Sequence, residues 1–276
     1  MPTIAEKRAR FRALHETGCF VIPNPWDIGS ARYLQSLGFP ALATTSSGFA
    51  WTTGRPDNAV TANEAIAHAA AMAAATDVPL NLDFEDGHAP DLDGLAGNVT
   101  RAAGAGVAGI SIEDSTGDQA APLYELTRAI DRIKAARAAL DWNDPQIMLI
   151  GRAEGMLVGR PDLGEILARL KAYAAAGADC LYAPGLKTKD EIVAVVEAVA
   201  PKPVNVLLGG PTFTVAELAA LGVRRISVGG ALARVAWGAA MRAAEELATG
   251  GTFGGFAAAV PFADIERFFI DDRRRR

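Results

Sequence analysis

The chain has 276 residues and a mass of 28.8 kDa, with half its residues hydrophobic and 21% charged. That composition supplies a large core and argues against general disorder. The formal charge is −5, from 27 basic and 32 acidic side chains, and no basic stripe is present, which excludes a protein built to neutralise nucleic-acid phosphates.

The start, MPTIAEKRARFRALHE, is charged and has no apolar segment of the secretory-leader kind. No apolar stretch reaches the roughly 18 residues of a membrane span. Two cysteines, Cys19 and Cys180, stand outside any C-x-x-C motif, which excludes a disulfide scaffold or zinc ribbon. A cytoplasmic protein without membrane or nucleic-acid partners is expected.

In chain order, eight short apolar runs read as strands: Cys19–Pro23, Ala41–Ser46, Pro79–Glu85, Gly109–Asp114, Gln146–Glu154, Cys180–Pro184, Pro203–Leu208 and Arg224–Gly229. Most are continuously apolar, as parallel strands covered on both faces should be. Between them, Ala62–Thr76, Leu123–Leu140, Leu163–Ala176, Lys189–Val199 and Val215–Leu221 read as helices. Gly38, Gly106, Gly177 and Gly222 stand just before strands, where glycine closes a helix in the left-handed conformation.

Eight alternating units predict a (β/α)8 barrel. An open doubly wound sheet shares the alternation, but Pro23-Asn24-Pro25-Trp26-Asp27 after the first strand is unlike a dinucleotide-binding G-x-G-x-x-G turn. One barrel domain over residues 1–276 is expected. Helical and aromatic residues of about 231–276 are left to pack on the barrel or on a neighbouring subunit. The basic run Arg273 to Arg276 reads as a solvated tail.

Barrel enzymes take working residues from the C-terminal ends of their strands. Those ends carry Trp26 and Asp27; Ser46, Ser47 and Gly48, followed by Asp57; Asp83, Glu85, Asp86 and His88; Glu113 and Asp114; Arg152 and Glu154; Tyr182; Asn205; and Ser227. The excess is acidic. Crowded carboxylates repel, and a divalent cation relieves them. Oxygen ligands favour Mg²⁺ or Mn²⁺ over zinc. Alternation along a strand puts Asp83 and Glu85 on one face, where both could reach one ion. The plainer alternative is that these acids cap helices or line a solvated loop.

Arg152 follows the apolar run Ile147–Gly151, where a lone cation needs an anion. It reads either as a clamp on a substrate carboxylate or as an ion pair with Glu154 or Glu113. Gly209-Gly210 and Gly229-Gly230 suit a phosphate cradle or tight loops. No G-x-S-x-G motif occurs, which disfavours a serine hydrolase.

These residues carry a resemblance. Pro23-Asn24-Pro25-Trp26-Asp27, Thr45-Ser46-Ser47-Gly48, Gly54-Arg55-Pro56-Asp57, Leu82 through Gly87, Gly106 through Asp114 and Ile150 through Glu154 appear in the order and spacing of the isocitrate lyase/phosphoenolpyruvate mutase superfamily, and the chain resembles it over roughly residues 10–240. The resemblance implies a barrel, often tetrameric, whose last helix packs on a neighbour. It implies Asp83 as the direct ligand of Mg²⁺ and Glu85, in place of the usual aspartate, as a ligand through water. Glu113 and Asp57 complete the acidic shell. Arg152 steadies the substrate carboxylate and the developing enolate. Backbone N–H groups around Ser46, Ser47 and Gly48 bind a carboxylate, and Trp26 and Asp27 lie at the base of the site.

The superfamily's shared chemistry is a metal-stabilised enolate of a 2-oxo acid, formed by breaking a C–C or P–C bond. Residues Ser115 to Pro122 lack the Lys-Lys-Cys-Gly-His segment of the isocitrate-cleaving branch. The implied function is therefore a Mg²⁺-dependent lyase or decarboxylase on a small 2-oxo acid or hydroxy diacid, of the oxaloacetate type. The alternatives are a phosphoenolpyruvate mutase or phosphonopyruvate hydrolase type of P–C enzyme, and a catalytically silent barrel that binds a 2-oxo acid.

Overall fold

The computed structural model describes residues 2–275. Its eight parallel strands are β1 (Phe20–Ile22), β2 (Leu42–Ala43), β3 (Leu80–Asp83), β4 (Gly109–Glu113), β5 (Met148–Arg152), β6 (Cys180–Tyr182), β7 (Val204–Leu207) and β8 (Arg225–Ser227). Each lies inside its predicted run. They pair in the order β1-β8-β7-β6-β5-β4-β3-β2. The Ala43 N–H donates to the Pro23 carbonyl at 3.1 Å, which brings the two sheet edges together. With helices after the strands, this nearly closed sheet is a (β/α)8 barrel.

Local chemistry sets the boundaries. Thr61, Asp162, Thr188 and Thr214 each accept the N–H three residues on and start the helices Ala62–Ala75, Leu163–Ala175, Lys189–Val199 and Val215–Ala220. The helix predicted over Leu123–Leu140 runs three residues further along, over Leu126–Asn143. Gly38, Gly106, Gly177 and Gly222 have φ of 87°, 80°, 107° and 87°, the left-handed geometry expected of them.

The second predicted strand was too long at its C-terminal end. Thr45 accepts the Gly48 N–H and begins a helix, Ser46–Thr52, so Ser46, Ser47 and Gly48 form a helical first turn rather than a loop. Helices Ile4–Leu14, Ile28–Ser36 and Leu92–Ala103 also complete the barrel unit.

The described residues form two compact units, 2–230 and 231–275. The second contains helices Ala231–Gly250 and Phe262–Arg274, with a short 3₁₀ turn, Gly254–Ala258, between them. Arg273 and Arg274 end the last helix, and Arg276 lies outside the described residues.

Helix Ile4–Leu14 contributes Phe11 to a cluster with Phe20, Ile22, Ile150, Cys180 and Tyr182. Gly109 admits that approach, because a methyl there would stand 2.7 Å from both the Phe11 ring and the Asn81 side-chain oxygen. His15 meets the rings of Phe11 and Phe20 edge-on, at 4.7 and 5.0 Å. Burial, with the charge of Arg225 behind it, pushes its imidazole down to about 3. The unfolded chain therefore takes up a proton below about pH 6.5 that the folded chain refuses, and stability falls as pH drops from there toward 3. The expected slope is about 1.4 kcal/mol per pH unit for this one group. Urea midpoints at pH 7 and pH 5 should fall less in His15→Phe than in the wild type; equal falls would refute the assignment.

Candidate active site

The C-terminal rim is organised around Arg152. Parallel register sets Glu113 beside it on β4 and Tyr182 beside it on β6. Each guanidinium nitrogen serves a different acid: Nη1 reaches Asp83 at 2.6 Å, Nη2 reaches Glu113 at 3.1 Å, and Nε reaches Glu154 at 2.9 Å. The guanidinium carbon lies 5.0 Å from the centre of the Tyr182 ring. Burial opposes the positive charge, but Glu113, Glu154 and Asp83 outweigh it and hold Arg152 firmly protonated. Burial also pushes Glu113 well above the ordinary carboxyl range, against the pull of Arg152. Of the two sequence readings, the ion pair is formed, and with both named partners.

Two further acids, Glu85 and Asp57, stand close enough to Asp83 to feel its charge. Glu85 is pushed up to about 8, first by burial and then by Asp83, Asp57 and Asp86. Asp57, exposed as a residue, has its carboxyl turned in toward Ser46. The protein atoms around it and the charge of Asp83 raise its pKa. Asp83 also accepts the Ser46 N–H at 3.1 Å. The backbone carries strain here: Glu85 and His88 have φ of 48° and 53°, in the left-handed region that side chains avoid.

Among the described residues, no group of three or more His, Cys, Asp or Glu side chains is arranged to hold a metal ion. Mg²⁺ takes one or two carboxylates and fills its remaining positions with water and substrate. An all-oxygen rim with Asp83 foremost fits that ion, and the repulsion among Asp57, Asp83 and Glu85 is what a divalent cation relieves.

A cavity of about 160 Å³ opens beside these acids. Of the strand-end residues singled out in the sequence it is lined by Ser46, Ser47, Asp57, Asp83, Arg152, Tyr182 and Ser227, but not by Glu113. Glu85 lines an adjoining crevice with His88, and its carboxylate lies 3.6 Å from that ring. Trp26, Asp27 and Gly48 do not line the cavity. Asp27 caps helix Ile28–Ser36 through the Ser30 N–H, and the Gly48 N–H is taken by Thr45.

Two other rim acids are structural. Asp114 is buried against Tyr173 and Arg169, at 2.5 and 3.1 Å, and Asp86 bonds Tyr124 and Arg132. Gly229 and Gly230 line the cavity, but the Gly229 N–H donates to Asn24, which leaves it no role in a phosphate cradle. The loop after β4 folds on itself through Thr116 N–H to the Pro122 carbonyl.

The sequence reading omitted Asn24, Asn81, Ser111 and Arg225, all of which line the cavity. The signal was period-two alternation: Asn81 shares the inward face of β3 with Asp83, Ser111 that of β4 with Glu113, and Arg225 that of β8 with Ser227.

A barrel with this arginine-clamped acidic rim is a lyase-type enzyme. The chain belongs to the phosphoenolpyruvate phosphomutase family of the isocitrate lyase/phosphoenolpyruvate mutase superfamily; the family profile matches residues 11–248. It is 48% identical to a proposed lyase/mutase from Burkholderia cenocepacia J2315, with a TM-score of 0.93 and 97% of each chain covered. It is 29% identical to an oxaloacetate decarboxylase of Rhodopseudomonas palustris (strain HaA2), over 81% of this chain and 77% of that one. It is 27% identical to a phosphonopyruvate hydrolase whose structure holds oxalate and Mg²⁺, with a TM-score of 0.83, over 98% of this chain and 96% of that one.

Proposed function

We propose that this protein is a divalent-cation-dependent lyase that cleaves a small 2-oxo acid or hydroxy diacid through an enolate, with oxaloacetate as the first substrate to test. The observation that carries the reading is the convergence of Asp83, Glu113 and Glu154 on Arg152 beside an open cavity, with the carboxyls of Asp57 and Glu85 crowded near Asp83. Similarity to an oxaloacetate decarboxylase supports the substrate class.

Asp83 would hold Mg²⁺ directly and Glu85 through water. When bound, the ion supplies Lewis-acid stabilisation of the charge that builds on the 2-oxo oxygen. Arg152 orients the substrate carboxylate and shares that charge through its fork. Ser46 and Ser47 face the cavity from the first turn of their helix and position the carboxylate's far oxygen. Glu113 and Asp57 hold the arginine and the acidic shell in place.

Purified protein with Mg²⁺ should release pyruvate from oxaloacetate, and excess EDTA should stop it. No product from oxaloacetate, 3-substituted malates or phosphonopyruvate would overturn the substrate assignment. Undiminished turnover in EDTA would overturn the metal. Phosphonopyruvate as the sole substrate, with a new ³¹P resonance, would replace C–C with P–C chemistry.

The protein also belongs among homo-oligomers on this reading. The unit 231–275 exposes Val235, Met241, Phe253 and Phe262, each more than half accessible, apolar surface that a second copy could cover. Light scattering of the purified chain should give a dimer or tetramer, and a monomer would refute it. No helix among the described residues is long and apolar enough to cross a membrane, and a cytoplasmic location accords with that.

A further inference from the structure

Arg225 is the anomaly that the rim does not explain. It opens β8 with its side chain inside the barrel, and only 2% of the residue is accessible. Its Nε donates to the Asn205 side-chain oxygen at 2.8 Å, and Asn205 in turn donates to Ser227 at 3.0 Å. Its Nη1 has no hydrogen-bond partner, and among the described residues no carboxylate forms an ion pair with it. Burial works against its charge and Arg152 repels it; Cys180, Tyr182 and Asp83 pull the other way, the last with a carboxylate already bonded to Arg152. A buried cation with an open donor and no counter-ion is costly to keep.

The cavity that reaches Asp83 and Arg152 at the rim is also lined by Arg225, along with Asn24, Asn81, Ser111 and Ser227. Asn81 donates to Ser111 at 3.0 Å, while its side-chain oxygen is buried without a donor. The wall of one cavity thus includes a cation with an unpaired N–H and an amide with an unpaired acceptor, both buried just behind its surface. The rim end is acidic and the floor end is cationic, so a ligand entering it meets opposite fields at its two ends.

We propose that Arg225 forms a second anion subsite on the barrel floor, which binds one carboxylate of the substrate and makes the enzyme select dicarboxylates over monocarboxylates. This rests on the lyase reading above and narrows its substrate class. Arg225 is then a specificity residue, and Asn205 positions it through the Nε bond.

The test compares two ligands of the size of oxaloacetate that differ by one carboxylate, (S)-malate and (S)-2-hydroxybutanoate, by calorimetry with Mg²⁺ present. Oxalate, too short to span both ends, reports the rim alone. The wild type should bind malate about tenfold or more tighter than 2-hydroxybutanoate, the scale of one charge-assisted contact. Arg225→Gln should erase that preference while oxalate binds as in the wild type, and Arg225→Lys should keep part of it. Equal affinity of the matched pair in the wild type, a measurement needing no variant, overturns the proposal, as does a preference that survives in folded Arg225→Gln. Oxalate failing to bind the wild type while malate remains preferred would instead overturn the enolate reading and leave the floor subsite standing.

Discussion

Asp83→Ala should abolish Mg²⁺-dependent turnover and leave the barrel folded. Among the described residues, Asp83 is the one acid that both faces the cavity and touches Arg152, through Oδ1 at 2.6 Å, while its other oxygen takes the Ser46 N–H. If it carries the ion, its loss removes several kcal/mol of charge stabilisation, a fall in kcat/KM of about a thousandfold or more. Stability should hold for two reasons. Glu113 and Glu154 still neutralise Arg152, and the repulsion that raises Glu85 and Asp57 is relieved. Asp83→Asn separates charge from shape, since the amide keeps an acceptor for Ser46. It should be nearly as inactive as Asp83→Ala. Initial rates across a Mg²⁺ titration and thermal melts of all three proteins decide the matter. Activity recovered at saturating Mg²⁺ would remove Asp83 from the ligand role, and a collapsed melting transition would make it a structural residue.

The barrel was legible in the sequence because buried parallel strands are apolar on both faces, and the left-handed glycines mark where helices end. Helix Leu92–Ala103 was less legible, since Gly94 and Gly97 weaken its pattern. Helix Ser46–Thr52 was hidden because Thr45-Ser46-Ser47-Gly48 carries the residues of both a strand end and a turn, and only the Thr45 cap decides between them. At the site, acid type and position were legible, but direction was not. Asp83 and Asp114 look alike in sequence, yet one faces the cavity and the other is buried against Tyr173 and Arg169. Arg225 escaped notice because an arginine at the start of an apolar run reads as a solvated flank unless the inward parity of β8 is followed.

Arg152→Lys should raise KM and lower kcat together, each by about tenfold or more, from the loss of fork geometry at constant charge. Three nitrogens of the guanidinium serve three acids on three different backbone positions. An ammonium is a single nitrogen on a shorter stem and cannot meet Asp83, Glu113 and Glu154 in that planar arrangement. Its charge still limits the damage to the fold. Arg152→Met goes further: it strands buried Glu113 and Glu154 without a cation, a change that costs about 3–5 kcal/mol in comparable buried pairs. The methionine variant should therefore lose stability as well as activity, whereas the lysine variant loses mainly activity. Steady-state kinetics beside urea unfolding separate the two effects. Wild-type kinetics in Arg152→Lys would mean that the arginine serves only to neutralise the rim and takes no part in gripping the substrate.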